Sequence, residues 1–157
     1  MKQTYLTDKH SLRLTRITFW VYLLSVPIIL LVFAIPYLQG KPFEINLFHL
    51  IYLGIVGYLA YQAYKLLRVI LAMKRTRCTV TEDTVSGFSI PNPMKKGEAF
   101  SISRDEIRGI GKKHYSIGTL RSLDILLLNT KEHTYALLSV DKMDALKQEL
   151  QKDMKEE

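Results

Sequence analysis

The chain has 157 residues, 48% of them hydrophobic, and a formal net charge of +7 at pH 7. Residues 1–77 hold ten Lys+Arg and two Asp+Glu, whereas residues 78–157 hold twelve and thirteen. Because the excess Lys and Arg residues flank apolar stretches and do not cover the polar half of the chain, we expect no nucleic-acid partner. The single cysteine, Cys78, excludes an intramolecular disulfide and a multi-cysteine metal site.

Two uncharged apolar stretches dominate the first half of the chain. Residues 1–16 are polar and basic, and we expect them to form a cytoplasmic N-terminal segment. Residues 17–38 carry no formal charge and, as a helix of about 33 Å, are long enough to span a bilayer. Residues 45–64 form a second uncharged stretch, and its apolar pattern extends the helix to about residue 73. Residues 17–73 therefore predict a two-helix transmembrane hairpin.

The orientation of this hairpin in the membrane is predicted from the Lys and Arg residues that flank it. Four Lys+Arg precede the first span, only Lys41 lies in the turn, and five follow the second span. Since Lys and Arg concentrate on the cytoplasmic side, both termini are predicted to be cytoplasmic in a multi-pass protein.

Small residues recur every third position in the second span and make a ridge that another helix can approach closely. The simplest partner is the first span, and self-association through the same ridge is the alternative. The ridge consists of Gly54, Gly57, Ala60 and Ala63.

From residue 77 the pattern changes to the alternation typical of half-buried strands. Strands are predicted at about 77–81, 85–90 and 100–102, and a hairpin from 120–129 and 134–140. A final helix is predicted from an N-cap at Asp141 to about residue 155. Its apolar stripe comprises Met143, Leu146, Leu150 and Met154.

These segments resemble the bacterial pleckstrin-homology-like (PH-like) domain, which follows a helical hairpin in small membrane proteins. The segments that carry the resemblance are RCTVTEDTVSGFSI, FSISRDEIRGI, LDILLLNTKEHTYALL and DKMDALKQEL, within residues 77–155. The resemblance implies that residues 77–157 form a cytoplasmic α+β domain, an antiparallel sheet closed by a C-terminal helix, at the inner (plasma) membrane of a bacterium. Phosphoinositide-binding members place a basic cluster in the first hairpin loop, where this chain has Glu82 and Asp83.

Basic residues close to the second span are the candidate lipid contacts. Lys74, Arg75 and Arg77 must lie near the membrane surface, where they are expected to contact anionic headgroups. Lys95 and Lys96 are more simply interpreted as part of a solvated loop.

No catalytic signature is present in the sequence. The segment GIGKKHYSIG is not a phosphate-binding loop, because one residue separates Gly109 from Gly111 and no Ser or Thr follows Lys112. Cys78 is predicted to face inward on a strand. The histidines lack metal-ligand spacing and lie at His10, His49, His114 and His133. We therefore expect no catalytic residue, cofactor or metal, and no enzymatic activity.

The sequence favours a membrane-anchored, non-enzymatic interaction module. Its PH-like domain would be presented at the inner leaflet, among membrane lipids, to bind a protein partner or a second copy of the chain. The alternative is an accessory subunit of a membrane transport or secretion complex. A third hypothesis, an enzyme of membrane lipids, needs lipid turnover by the purified protein to support it.

Overall fold

A computed structural model describes residues 2–42, 47–117 and 121–153. Two long helices are followed by two antiparallel sheets and a C-terminal helix. This confirms the two helices and the sheet domain that follows them, but the strands form two sheets where one was predicted. In chain order the elements are β1 (Gln3–Leu6), α1 (Lys9–Leu38), α2 (Leu47–Arg75), β2 (Arg77–Val80), β3 (Thr84–Ser89), β4 (Glu98–Ser103), a short 3-10 helix (Arg104–Glu106), β5 (Gly109–Ile117), β6 (Arg121–Asn129), β7 (Thr134–Leu138) and α3 (Met143–Asp153).

Helix α1 begins well before the first apolar stretch. The Asp8 carboxylate caps it by accepting hydrogen bonds from the backbone N–H groups of His10, at 3.1 Å, and Ser11, at 2.9 Å. Burial acts to raise the pKa of Asp8, but these hydrogen bonds outweigh it, so the pKa lies below its ordinary value. Residues 17–38 are therefore the distal part of a longer helix whose first two turns are polar.

Helix α2 extends slightly beyond its predicted end, to Arg75. The N–H of Thr76 donates to the carbonyls of Ala72 and Met73, each at 3.1 Å, which closes the last turn. Residues 45 and 46 of the predicted span lie outside the described residues. By length and composition, α1 and α2 are each able to cross a membrane.

The two long helices pack together as a hairpin with an aromatic cluster near its turn. His49 is buried, and its ring hydrogen-bonds to the Tyr37 hydroxyl. The Phe33 ring meets the His49 ring edge-on at 5.0 Å. The polar ring nitrogen of His49 is thus satisfied within the hairpin.

The first sheet has the strand order β1-β2-β3-β4, with Tyr5 opposite Cys78 in the pairing of β1 and β2. Strand β1 precedes the helical hairpin and β2 follows it, so the hairpin is inserted between two neighbouring strands. The sequence predicts no strand within residues 1–16, and here the structure differs. Tyr5 is the only buried side chain of β1, and one buried residue produces no alternation to detect.

The second sheet has the order β5-β6-β7 and packs face to face with the first, without closing into a barrel. Backbone hydrogen bonds join the sheets: Ile90 donates to the Ala136 carbonyl and Asp141 to the Leu6 carbonyl, both at 2.7 Å. The core between the sheets includes Val80, Val85, Ile102, Leu126, Leu128, Leu137 and Leu146.

The C-terminal helix begins later than predicted. The predicted N-cap, Asp141, uses its N–H to bond to β1, and the first helical hydrogen bond runs from Leu146 to the Lys142 carbonyl, at 3.0 Å. Leu146 and Leu150 are buried as predicted, whereas Met154 lies outside the described residues.

The outer face of the second sheet is covered by the helical hairpin. Leu66, Val69 and Met73 of α2 pack against Ile125 of β6 and Leu138 of β7. Because the opposite face of β6 fills the core between the sheets, both faces of this strand are buried. This explains the nearly continuous apolar run LDILLL in place of a strict alternation.

Candidate functional site

A basic groove separates α2 from the loop that connects β3 to β4. Its volume is about 280 Å³. Four of its lining residues are basic: Arg68 and Arg75 on the helix, and Lys95 and Lys96 on the loop. Its apolar lining comprises Leu71, Ala72, Phe88, Ile90 and Pro93.

The helical wall of the groove follows from α-helical periodicity. Arg68, Leu71, Ala72 and Arg75 stand at positions i, i+3, i+4 and i+7, which share one face of a helix. The two arginines are separated by about 10 Å along the axis. The wall is therefore apolar in the middle and positively charged at both ends.

The opposite wall is held in place by hydrogen bonds. The Arg68 guanidinium donates from Nη2 to the Met94 carbonyl, at 3.0 Å. The Asn92 side chain accepts from the Met94 N–H at 2.9 Å, and the Asn92 carbonyl accepts from the Lys95 N–H at 2.9 Å. These bonds fix a turn that presents Lys95 and Lys96 toward the helix.

Close packing also fixes the end of this loop at Gly97. A Cβ atom there would lie 2.6 Å from the Ser89 carbonyl oxygen and 2.5 Å from the Phe88 ring. No side chain fits this position without displacing the loop.

The groove is suited to an anion. None of the described residues that line it is acidic. A guanidinium has five N–H donors, so Arg68 retains donors beyond the one that binds Met94. Arginine and lysine together favour phosphate oxygens, to which they make charge-assisted hydrogen bonds.

The structure brings together only part of the predicted headgroup contacts. Arg75 lines the groove, whereas Lys74 and Arg77 are exposed outside it. Lys95 and Lys96, interpreted from the sequence as a solvated loop, lie opposite Arg75. Arg68 is counted from the sequence only among the basic residues that follow the second span, and not as a headgroup contact. The helical spacing of Arg68 and Arg75 was a detectable signal, but the position of the loop depends on tertiary packing.

The small-residue ridge of α2 is largely open. A Cβ atom built at Gly54 or Gly57 would meet nothing within 4 Å, and Ala60 is exposed, whereas Ala63 is buried. We expected α1 to pack against this ridge, but in the structure α1 does not pack against Gly54 or Gly57. The part of the ridge at these two glycines is therefore not in close contact with α1.

Cys78 faces inward, as predicted, and is fully buried. Burial, and secondarily the charge of Glu149, raises the pKa of the Cys78 thiol to about 12. The thiol is therefore protonated at neutral pH and is not a nucleophile there.

A cross-strand charged cluster joins β5 to β6. Asp124 contacts Lys112 Nζ at 2.8 Å and His114 Nδ1 at 2.7 Å. The hydrogen bond from Lys112 lowers the pKa of Asp124, and the same contact raises the pKa of Lys112. Because the His114 side chain is 64% exposed, we interpret this cluster as a solvated ion network and not as a catalytic dyad.

A larger cavity, of about 590 Å³, lies between β4, the 3-10 helix and the β6–β7 turn. It carries both signs of charge, with Asp105, Glu106 and Glu132 beside Arg108 and Lys131. Such a surface suits a polar protein contact better than a ligand of one charge.

Among residues 2–42, 47–117 and 121–153, no group of three or more His, Cys, Asp or Glu side chains is arranged to hold a metal ion. No protein-family model, curated protein or solved structure matches this chain.

Proposed function

We propose that this chain is a non-enzymatic membrane protein of the bacterial inner membrane, which presents a PH-like domain to a protein partner or to a second copy of itself. The observation that carries the proposal is the pairing of β1 with β2 around the helical hairpin. This pairing makes the hairpin part of the domain and not a tethered anchor.

Exposed apolar surface supports the membrane anchoring. Large hydrophobic side chains are exposed along both helices, among them Leu24, Leu31 and Ile35 on α1 and Leu50 and Leu53 on α2. A water-exposed apolar surface of this extent is unfavourable, whereas the hydrocarbon core of a bilayer accepts it.

Strand pairing also supports a common side for the two termini. Because β1 and β2 are hydrogen-bonded neighbours, the chain before α1 and the chain after α2 must lie on the same side of the membrane. The excess of Lys and Arg at these flanks favours the cytoplasmic side.

The arrangement of strands supports the PH-like assignment. The domain has a four-stranded and a three-stranded antiparallel sheet in sequential order, and α3 packs on the core between them. In this proposal β1 supplies the first strand, and the hairpin occupies the connection between the first two strands.

The connection between α2 and the sheet domain is short and rigid, which supports the proposed role of the domain as an interaction module. Only Thr76 separates α2 from β2, and it is buried. The Thr7 hydroxyl donates to the Met73 carbonyl, which joins the N-terminal connection to the end of α2. A rigid mount fixes which surface of the domain faces the cytoplasm and raises its effective concentration for a membrane-bound partner.

Site-specific photocrosslinking in native membranes tests this proposal. One probe replaces Lys131, beside the large cavity of the domain, and a second replaces Ile55, on the exposed helix surface. We expect the probe at residue 131 to capture a defined protein or a second copy of the chain. Capture from residue 55 alone, or from neither residue, contradicts the interaction-module proposal.

The open glycine ridge favours a second candidate, the accessory subunit of a transport or secretion complex. In that case Gly54 and Gly57 would contact a span of another subunit. The double substitution Gly54→Leu and Gly57→Leu would then dissociate a membrane complex, as measured by native electrophoresis, while the domain stays folded. An unchanged complex argues against this candidate.

A further inference from the structure

An apolar strip of α2 leads from the proposed span into the basic groove. Tyr64, Leu67 and Leu71 stand at i, i+3 and i+7 and are 51%, 41% and 44% exposed. Leu71 belongs to both the strip and the lining of the groove. The strip and the groove therefore form one continuous surface that is apolar toward the span and basic below it.

The depth of the groove matches the headgroup layer of a bilayer. Tyr64 ends the uncharged stretch, and Arg68 follows it by about 6 Å along the helix axis. A headgroup layer adds about 5–7 Å on each side of the hydrocarbon. In the proposed two-span topology Arg68 lies at the level of lipid phosphates, and Arg75, about 10 Å further along the axis, lies on their aqueous side.

We propose that the groove is a specific site for the phosphate-bearing headgroup of an anionic phospholipid. Arg68 and Lys95 bind the phosphate, Lys96 and Arg75 bind the outer part of the headgroup, and an acyl chain lies along Leu67. The inference rests on the proposed membrane anchoring for the source of its ligand, and not on the identity of any protein partner.

The apolar lining of the groove favours a lipid over a soluble phosphate ester. Between its basic ends the groove is lined by apolar side chains, including Leu71 and Phe88, which offer no hydrogen-bond partner to the middle of a polar metabolite. The same lining suits the glycerol backbone and the upper acyl chain of a lipid, which also meet the exposed Leu67.

The test is binding by the purified full-length protein in a neutral detergent, where no charged bilayer surface contributes. The probes are dihexanoyl-phosphatidylglycerol, dihexanoyl-phosphatidylcholine and inorganic phosphate, followed by native mass spectrometry. We expect saturable binding of the phosphatidylglycerol and about tenfold weaker binding of the other two probes, because choline places a positive charge beside Lys96 and Arg75, and inorganic phosphate lacks the acyl chains that contact the apolar strip.

Matched charge-removal variants separate a site from diffuse attraction. Lys95→Gln with Lys96→Gln removes two exposed charges from the groove, and Lys74→Gln with Arg77→Gln removes two exposed charges outside it. We expect the first pair to weaken binding about tenfold and the control pair to change it less than about twofold. All four positions are exposed, and the unfolding temperature of each variant checks that folding is retained.

Each other outcome overturns the proposal. An equal loss in both pairs indicates diffuse electrostatics, and no loss in either pair indicates that the groove binds nothing. Equal affinity for inorganic phosphate indicates a soluble ligand, and equal affinity for phosphatidylcholine indicates binding by the acyl chains alone. Because detergent binding needs no protein partner, a failure here leaves the crosslinking result for residue 131 unaffected.

Discussion

At the scale of single residues, the groove depends on positions that sequence patterns do not mark. Arg68 was recognised as part of the base that flanks the span, but its bond to the Met94 carbonyl requires a loop 26 residues away. Gly97 gave no signal either, because its contacts with Ser89 and Ile90 arise only when the loop folds back on β3. The residue types at these two positions can be read from the sequence, but the residues that they contact in the folded protein cannot.

Substitution of Gly97 tests this tight packing. Gly97→Ala places a methyl group within 3.0 Å of a backbone oxygen, so the loop must shift, and overpacking of this kind typically costs about 1–3 kcal/mol. We expect a lower unfolding temperature and weaker headgroup binding. Gly109→Ala is the control, because its Cβ would meet only the Asn129 side chain at 3.8 Å. Similar unfolding temperatures for both variants would contradict the packing shown by the structure.

The Asp8 cap predicts a dependence of stability on acidic pH. Since the folded-state pKa of Asp8 is below its ordinary value of 3.8, its contribution to stability is complete above that value. The contribution is lost as the pH falls through the lowered folded-state pKa. Asp8→Ala should reduce stability at pH 7 by about 1 kcal/mol.

The measurement is thermal unfolding of the detergent-solubilised protein between pH 7 and pH 2, followed by circular dichroism. The difference between the wild type and Asp8→Ala should shrink toward the acid end. A difference that stays constant over this range would show that the Asp8 carboxylate does not cap α1. Asp124→Asn serves as a comparison, since exposed ion pairs contribute at most about 1 kcal/mol.

At the scale of elements, the long helices and the β6–β7 hairpin were predictable because each has a long or regular apolar pattern. β1 was missed because four residues with one buried side chain do not stand out beside an apolar helix. The predicted extension of the second helix to about residue 73 is correct. The contacts that this extension makes were not predicted. The structure buries much of residues 65–73 against the second sheet, a contact that the apolar pattern of the helix alone does not specify.

The contact between helix and sheet can be tested with two adjacent leucines. Leu66 is 2% exposed and packs against the sheet, whereas Leu67 is 41% exposed. Leu66→Ala should destabilise the protein by about 2–5 kcal/mol through lost burial and the cavity it leaves. Leu67→Ala should have a much smaller effect, because it opens no cavity.

The effect of the Leu66→Ala and Leu67→Ala substitutions is measured as the rate at which a protease cleaves the domain in membranes. We expect the Leu66→Ala protein to be cleaved faster than the wild type, and the Leu67→Ala protein to be cleaved at the wild-type rate. Equal sensitivity of the two variants would mean that the domain does not pack on α2.

At the scale of the whole molecule, the sequence predicted two apolar helices and a following sheet domain, but it did not predict that they form one unit. The pairing of residues as distant as Tyr5 and Cys78 has no local signature. The same is true of the second sheet, whose two faces are covered by different parts of the chain. The consequence is a hairpin mounted rigidly in its own domain, on which the proposed function depends.

In the proposed topology the helices cross a membrane and both termini lie on one side of it, which can be tested by the accessibility of introduced cysteines. Cys78 is fully buried with a pKa of about 12, so the wild-type protein provides an unreactive background. Thr4→Cys, Lys41→Cys and Lys131→Cys each place a thiol at an exposed position.

A membrane-impermeant maleimide is applied to intact cells and to permeabilised cells. We predict that Lys41→Cys is labelled in intact cells and that Thr4→Cys and Lys131→Cys are labelled only after permeabilisation. Labelling of residues 41 and 131 from the same side of the membrane would contradict the two-span account.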